Sequence, residues 1–390
     1  MSLSPALLSP PPLSLYVHIP WCVRKCPYCD FNSHEGRGAL PFAAYVEALL
    51  ADLDFDLPLV WGRTVQSVFF GGGTPSLMPT DLIDRFLQGA SARLRFAPGC
   101  EITLETNPGT VEHGSFRGYR DAGINRLSFG VQSFDDGCLQ RLGRIHDSAE
   151  ATAAVKLAQD AGFDNINLDL MYALPGQTLA MAERDVAQAF ALQPTHISHY
   201  QLTLEPNTVF AARPPAGLPD DDGSWDIQEH CQAMLAGAGF RQYEVSAYAQ
   251  PGRECAHNVN YWKYGDYLGI GAGAHGKITS GHDQSVLRRW KLKHPTAYLA
   301  AAGTAHACGG DEYISVERRP FEFMLNALRL VDGFSLAGFE ASTGVARSTI
   351  APQLQEAAAR QWLLVNGDRV RPTELGRRFT NDVIELFLGG

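Results

Sequence analysis

Cys22-Val-Arg-Lys-Cys26-Pro-Tyr-Cys29 follows closely on the apolar run Leu15-Tyr-Val-His-Ile19, with only Pro20 and Trp21 between them. The run reads as a strand. Pro20 and Pro27 forbid a helix across the cysteines, so the three thiols share one loop at a strand's carboxyl end. Soft thiolates at this density point to a metal or an iron–sulfur cluster. Three sulfurs do not close a four-thiolate site. Either His18, Asp30 or His34 completes a structural zinc, or one metal position stays open for a ligand. The other cysteines, Cys100, Cys138, Cys231, Cys255 and Cys308, stand singly and read as small buried apolar residues.

Outward from this loop the chain alternates. Strand-like runs lie at Ser14–Ile19, Val65–Phe70, Glu101–Thr106, Arg126–Phe129, Asn165–Met171 and His196–Leu202. Between them, helical apolar spacing marks Phe42–Leu53, Thr80–Leu94, Glu112–Ala122, Ser148–Ala161 and Met181–Leu192. Such alternation predicts parallel strands with crossover helices, in a partial barrel or an open doubly wound sheet. Each strand carries, or leads to, a polar or glycine-rich signature. These are the cysteine loop, Gly71-Gly-Gly-Thr-Pro75, Glu105-Thr-Asn-Pro108, Gln132-Ser133, Asp169 and Tyr200-Gln201. Parallel α/β sheets gather ligands at that end. The triglycine removes three side chains, so backbone N–H groups can approach a small carboxylate or amine. Singly these are a tight turn, a strand-end carboxylate and a turn former; jointly they predict one site.

The expected organisation is a disordered lead-in over 1–13, the α/β core over 14–250, a connecting segment over 251–311 and a small domain over 312–390. The connecting segment holds His257-Asn-Val-Asn-Tyr-Trp262 and the glycine-rich Gly269–Gly276. The glycine run lacks the strand–helix–strand context of a dinucleotide site and reads as close backbone packing. In the small domain, two helical patterns, a hairpin of Leu363–Asn366 with Arg369–Arg371, and a last helix resemble a winged helix.

Composition bounds the partners. A chain of 390 residues with 45% hydrophobic and 19% charged content builds an ordinary core. A net charge of -10 argues against nucleic acid. No apolar stretch approaches the roughly 20 residues of a membrane span, and the first residues lack the pattern of a secretory signal. Clustered thiols then suit a reducing cytoplasm.

Cys-x3-Cys-x2-Cys with Tyr28 before the last cysteine, then Gly-Gly-Gly-Thr-Pro, resembles the radical S-adenosylmethionine (SAM) superfamily. His18-Ile-Pro-Trp-Cys22, Cys26-Pro-Tyr-Cys-Asp-Phe-Asn-Ser33 and Asp169-Leu-Met-Tyr-Ala-Leu-Pro-Gly-Gln-Thr178 are similar to the oxygen-independent coproporphyrinogen III oxidase group. The likeness runs from about Ser14 to the C-terminus. It implies an α/β fold, a partial six-unit (β/α) parallel barrel, with a small winged-helix-like α+β domain appended. It implies a [4Fe–4S] cluster on Cys22, Cys26 and Cys29, whose fourth iron is chelated by the amino and carboxylate groups of SAM. On the same basis Gly72, Gly73 and Thr74 line the methionyl end, and Glu105 accepts from the ammonium. Arg144 faces the carboxylate, Gln132 and Asp169 hold ribose hydroxyls or nearby polar atoms, and Tyr16 and Tyr28 lie beside the cluster and cofactor. Electron transfer into the sulfonium would cleave a C–S bond and give a 5′-deoxyadenosyl radical.

The group contains oxidases and haem carriers. Oxidases place a fourth cysteine where this chain has Phe31, and have a longer N-terminal extension. His257-Asn-x-x-Tyr261-Trp262 matches a signature of haem-handling members, which makes His257 an axial ligand and the aromatics a cover for the porphyrin. Without the family, the same residues read as a hydrogen-bonded core histidine and packing rings. The resemblance implies a haem chaperone that passes haem to apoproteins such as respiratory enzymes. An electron donor and a homodimer are further expectations. The alternative is an oxidase that converts two propionates of coproporphyrinogen III to the vinyls of protoporphyrinogen IX.

Overall fold

The computed structural model describes residues 8–110 and 115–388. Strands β1 (Leu13–Ile19), β2 (Thr64–Gly72), β3 (Arg95–Thr106), β4 (Arg126–Gln132), β5 (Ile166–Tyr172) and β6 (His196–Gln201) lie side by side in chain order. Every neighbouring pair among them is parallel. A doubly wound sheet reverses its order at a switch point. These six strands run on without a reversal, as the partial barrel requires.

Helices α1 (Phe42–Asp56), α2 (Thr80–Ser91), α3 (Ser115–Asp121), α4 (Ser148–Asp160) and α5 (Leu179–Ala191) make the crossovers. The start expected at Glu112 lies outside the described residues. Local chemistry sets other helix starts: Asp147 and Glu150 form a capping box on α4, and the Thr178 side chain accepts from the Met181 N–H on α5. Alternation along the strands divides the barrel. Leu15, Val17, Val68, Phe70, Leu104, Leu127, Phe129, Leu168 and Leu170 are buried in the core. Their neighbours Tyr16, Phe69, Glu105, Ser128, Asn167 and Asp169 line a cavity instead.

The segment expected to connect domains is part of the sheet. After α6 (Asp221–Gly237) and α7 (Ala256–Trp262), β7 (Asp266–Ile270) adds parallel to β1, with Leu268 opposite Leu15. Strands β8 (His275–Ser280), β9 (Ser285–Lys291) and β10 (Cys308–Tyr313) continue antiparallel. The glycine run packs backbone to backbone: a Cβ at Gly271 would meet His18 O at 2.4 Å. Buried Lys291 fastens this extension to α1, between Asp52 and Asp56, with Nζ 2.6 Å from Asp56 Oδ2.

Residues 8–13 correct the expectation of disorder over 1–13. Leu8 is buried with Val286 and Ile314, and its N–H donates to Gln284 Oε1 at 2.7 Å. Burial of this one leucine holds the strand's approach in place; residues 1–7 lie outside the described residues. The C-terminal domain has its own core around Phe323, Phe339, Leu354 and Val370. Leu363–Asn366 and Arg369–Pro372 form the hairpin, joined by Phe334–Ser335 in a three-stranded sheet. Helix Leu336–Thr343, unread in the sequence, is capped by the Ser335 side chain and ended by Gly344 at φ 69°. No helix among the described residues is long and apolar enough to cross a membrane.

Candidate cluster and ligand site

The cysteine loop leaves the end of β1 and is clamped at its base. Trp21 and Cys22 pair parallel with His34 and Glu35, and the Gly36 N–H donates to Cys22 O at 2.8 Å. Cys22, Cys26 and Cys29 are half-buried free thiols that line one cavity of about 630 Å³. Among the described residues, no three His, Cys, Asp or Glu side chains converge on a single-ion position. Three thiols on one cavity are a donor set that an iron–sulfur cluster takes.

His18, a candidate fourth ligand, is engaged elsewhere. Its Nε2 donates to Asn32 O at 2.9 Å, and its Nδ1 accepts from the Tyr16 hydroxyl at 3.0 Å. Burial pushes its imidazole down to about 4, so the neutral tautomer bridges β1 and the far end of the loop.

The triglycine runs beside the loop. The N–H of Gly73 donates to Ile19 O at 2.7 Å and that of Thr74 to Trp21 O at 2.8 Å. A Cβ at Gly73 would come to 2.5 Å of Trp21 O, while Gly72 has φ 111°, a conformation open to glycine. Thr74 sits against the Cys22 thiol. Glu105 faces the cradle and accepts from the Gly72 N–H at 3.2 Å. Burial and the nearby Asp169 push its carboxyl up to about 8. A carboxylate held out of water beside a second acid is stabilised when a cation arrives. Thiols, glycine cradle and acid together fit a cluster with an open corner and a small zwitterion carrying positive charge.

The remaining expected residues fall around the same space. Gln132, Arg144, Asp169 and Tyr28 all line the cysteine cavity. Gln132 adopts φ 71° where the β4–β5 register shifts, and accepts from the Tyr200 hydroxyl at 2.8 Å. Asp169 accepts from Asn167 Nδ2 at 2.8 Å and Ser128 Oγ at 3.2 Å. Arg144 reaches back from its loop: Nη1 lies 3.5 Å from Cys26 Sγ and 3.4 Å from the Tyr28 hydroxyl, and Nη2 donates to Gly130 O at 2.6 Å. Its buried Nε has no hydrogen-bond partner among the described residues. Tyr16, expected beside the cluster, lies two residues deeper along β1 than His18 and lines a second cavity.

That second cavity is larger, about 1080 Å³, and shares Cys29, Gly72, Glu105, Ser128 and Asp169 with the first. His257, from the start of α7, enters its wall. The ring stacks on Phe69 with centroids 4.9 Å apart, and Nδ1 is hydrogen-bonded to Ser67 Oγ at 3.2 Å. Burial and the charge of Arg126 hold the imidazole down at about 3. Tyr261 and Trp262 line the same space. Ser128, Asn167, Ser198 and Arg126 were missed in the sequence; polar residues at alternate positions, 126 and 128, 167 and 169, 196 and 198, were the available signal.

Comparison with known proteins identifies the family. The family model for the radical SAM superfamily matches residues 16–189, and that for the HemN C-terminal domain matches 314–379. The chain is 50% identical over 378 residues to "Heme chaperone HemW" of Escherichia coli K12, covering 97% of this chain and 98% of that protein. It is 49% identical to the Haemophilus influenzae protein of the same name and 33% identical to that of Bacillus subtilis, again nearly end to end. Among solved structures, coproporphyrinogen III oxidase (HemN) from Escherichia coli, a radical SAM enzyme, superposes with TM-score 0.81 at 24% identity. It covers 97% of this chain and 90% of that one, a likeness of fold. From the cysteine loop to the terminal small domain, the chain belongs to the HemW family of the radical SAM superfamily.

Proposed function

We propose that this protein is a haem chaperone: it holds haem in the larger cavity and delivers it to apoproteins, respiratory enzymes among them, while carrying a SAM-ligated [4Fe–4S] cluster in the smaller one. The observation that carries the proposal is the continuity of two cavities with different chemistry. One is lined by three thiols and Arg144, the other by a neutral histidine against an aromatic wall, and Glu105 is common to both.

In the first cavity, Cys22, Cys26 and Cys29 hold the cluster, and Gly72, Gly73 and Thr74 accommodate the methionyl end of SAM. Glu105 takes its ammonium. Arg144 offers donors to its carboxylate, and Gln132 and Asp169 take its ribose side. When bound, cluster and SAM supply one-electron chemistry. The chain's own part is to orient the nucleoside and keep water away. In the second cavity, Nδ1 of His257 is committed to Ser67, which leaves Nε2 for iron. Phe69, Tyr261 and Trp262 provide flat apolar cover, and Tyr16 joins the same wall. All eight cysteines are free thiols, which suits a reducing cytoplasm.

The test is an anaerobic pair of assays on reconstituted protein. Haem titration is expected to give a stoichiometric complex that passes haem to an apo-haemoprotein. Coproporphyrinogen III with SAM and reductant is expected to stay unconverted; protoporphyrinogen IX formed at enzyme-like turnover contradicts the chaperone reading.

A further inference from the structure

The larger cavity has a cationic group in its wall that the cluster loop and the smaller cavity do not use. Arg126, the first residue of β4, is 2% exposed and lines the larger cavity alone. Its nearest acid is Glu101, with Oε2 3.9 Å from the arginine Nε, beyond hydrogen-bonding distance. The other Glu101 oxygen is occupied by the His257 N–H at 3.3 Å and the Cys255 thiol at 3.6 Å. The buried Nε of Arg126 has no hydrogen-bond partner among the described residues. Leaving a buried guanidinium donor unmet is costly and calls for an explanation, and the side chain lines a cavity large enough for a ligand. Its planar fork matches a carboxylate.

From this placement we infer that Arg126 is the carboxylate-binding group of the larger cavity, where it pairs with a propionate of the bound porphyrin. The inference rests on the haem reading above and adds to it the group that recognises the ligand's acid edge. Glu101 ties the two halves together, because it holds the His257 backbone and stands beside Arg126. Iron ligand and propionate partner are thus set at a fixed separation on one scaffold. The carboxylate of SAM belongs to the other cavity, which Arg126 does not line.

The experiment titrates haem and haem dimethyl ester, whose carboxylates are masked, into the cluster-loaded full chain and follows the Soret band. Wild type is expected to prefer haem over the ester by at least about tenfold, as a charged hydrogen bond in a buried site gives. Arg126→Gln is expected to lose about 10- to 100-fold in haem affinity, keep its ester affinity and keep its spectral response to SAM. Arg126→Lys is expected to recover part of the preference. Equal wild-type affinity for haem and ester overturns the inference without any variant. So does a preference for haem that survives in Arg126→Gln. Binding of neither porphyrin by wild type defeats the haem reading and this inference with it, an outcome distinct from equal binding of both.

Discussion

Gly72 lies against the ring of His18, where a Cβ at position 72 would come to 2.5 Å of Cε1. Because His18 in turn holds Asn32 O, the triglycine sets the position of the cysteine loop's far end. Gly72→Ala combines this clash with φ 111° and is expected to cost about 1–3 kcal/mol. Its larger effect falls on the site. Iron and sulfide content after reconstitution, and SAM affinity, are expected to drop while the rest of the barrel stays folded. Full cluster loading with ordinary SAM affinity contradicts this linkage.

Glu105 gives the site a pH signature. Its carboxyl rises from 4.5 to about 8 in the folded protein, so between those values the native state binds more protons than the unfolded chain. Its contribution to stability is full below the lower value and is lost as pH rises through the upper one. Without ligand, Glu105→Gln is therefore expected to melt higher than wild type above about pH 8. A bound ammonium needs the ionised acid, so SAM affinity is expected to rise by up to about tenfold per pH unit toward pH 8. Calorimetric titration across that range checks it; a flat profile contradicts the assigned role.

His257 is held neutral by burial and by Arg126, with its pKa down at about 3. Its nitrogen stays available to iron in mild acid, and haem affinity is expected to hold level from about pH 8 to pH 5. His257→Ala is expected to lose haem affinity by about tenfold or more and to shift the Soret maximum, while iron content and SAM response persist. An unchanged haem spectrum in that variant removes the histidine from the iron.

Much of this was legible in advance because it depends on local order. The three thiols, the triglycine, Glu105, Gln132 and Asp169 lie on or just after successive strands, Arg144 was given by the family resemblance, and the cavity collects them. What stayed hidden depends on distant pairing. Strand β7 joins β1 across some 250 positions of chain, with Tyr267 beside Ser14, and its glycine-rich neighbourhood, read as close backbone packing, gave no sign of which strand it packs on. The cavity wall hid for another reason: Arg126, Ser128, Asn167 and Ser198 alternate with core residues, so each strand reads as half-buried without showing what its second face encloses.

Lys291 provides a stability test away from both cavities. Its ammonium is fully buried between Asp52 and Asp56, and Tyr298 donates to Asp52 Oδ2 at 2.7 Å. Lys291→Ala leaves Asp52 buried without its cation, while Asp56 keeps Arg289, and is expected to cost about 3–5 kcal/mol. Urea unfolding measures it. A loss below about 1 kcal/mol, the level of an exposed pair, contradicts the buried arrangement.

Cys22, Cys26 and Cys29 are expected to hold a cluster with one iron open to SAM. The most direct measurement is the electron paramagnetic resonance spectrum of anaerobically reconstituted, reduced protein, recorded with and without SAM. The expected result is a [4Fe–4S] signal that shifts when SAM is added and is absent from Cys26→Ala. Protein that takes up no cluster, or a cluster signal indifferent to SAM, contradicts the account.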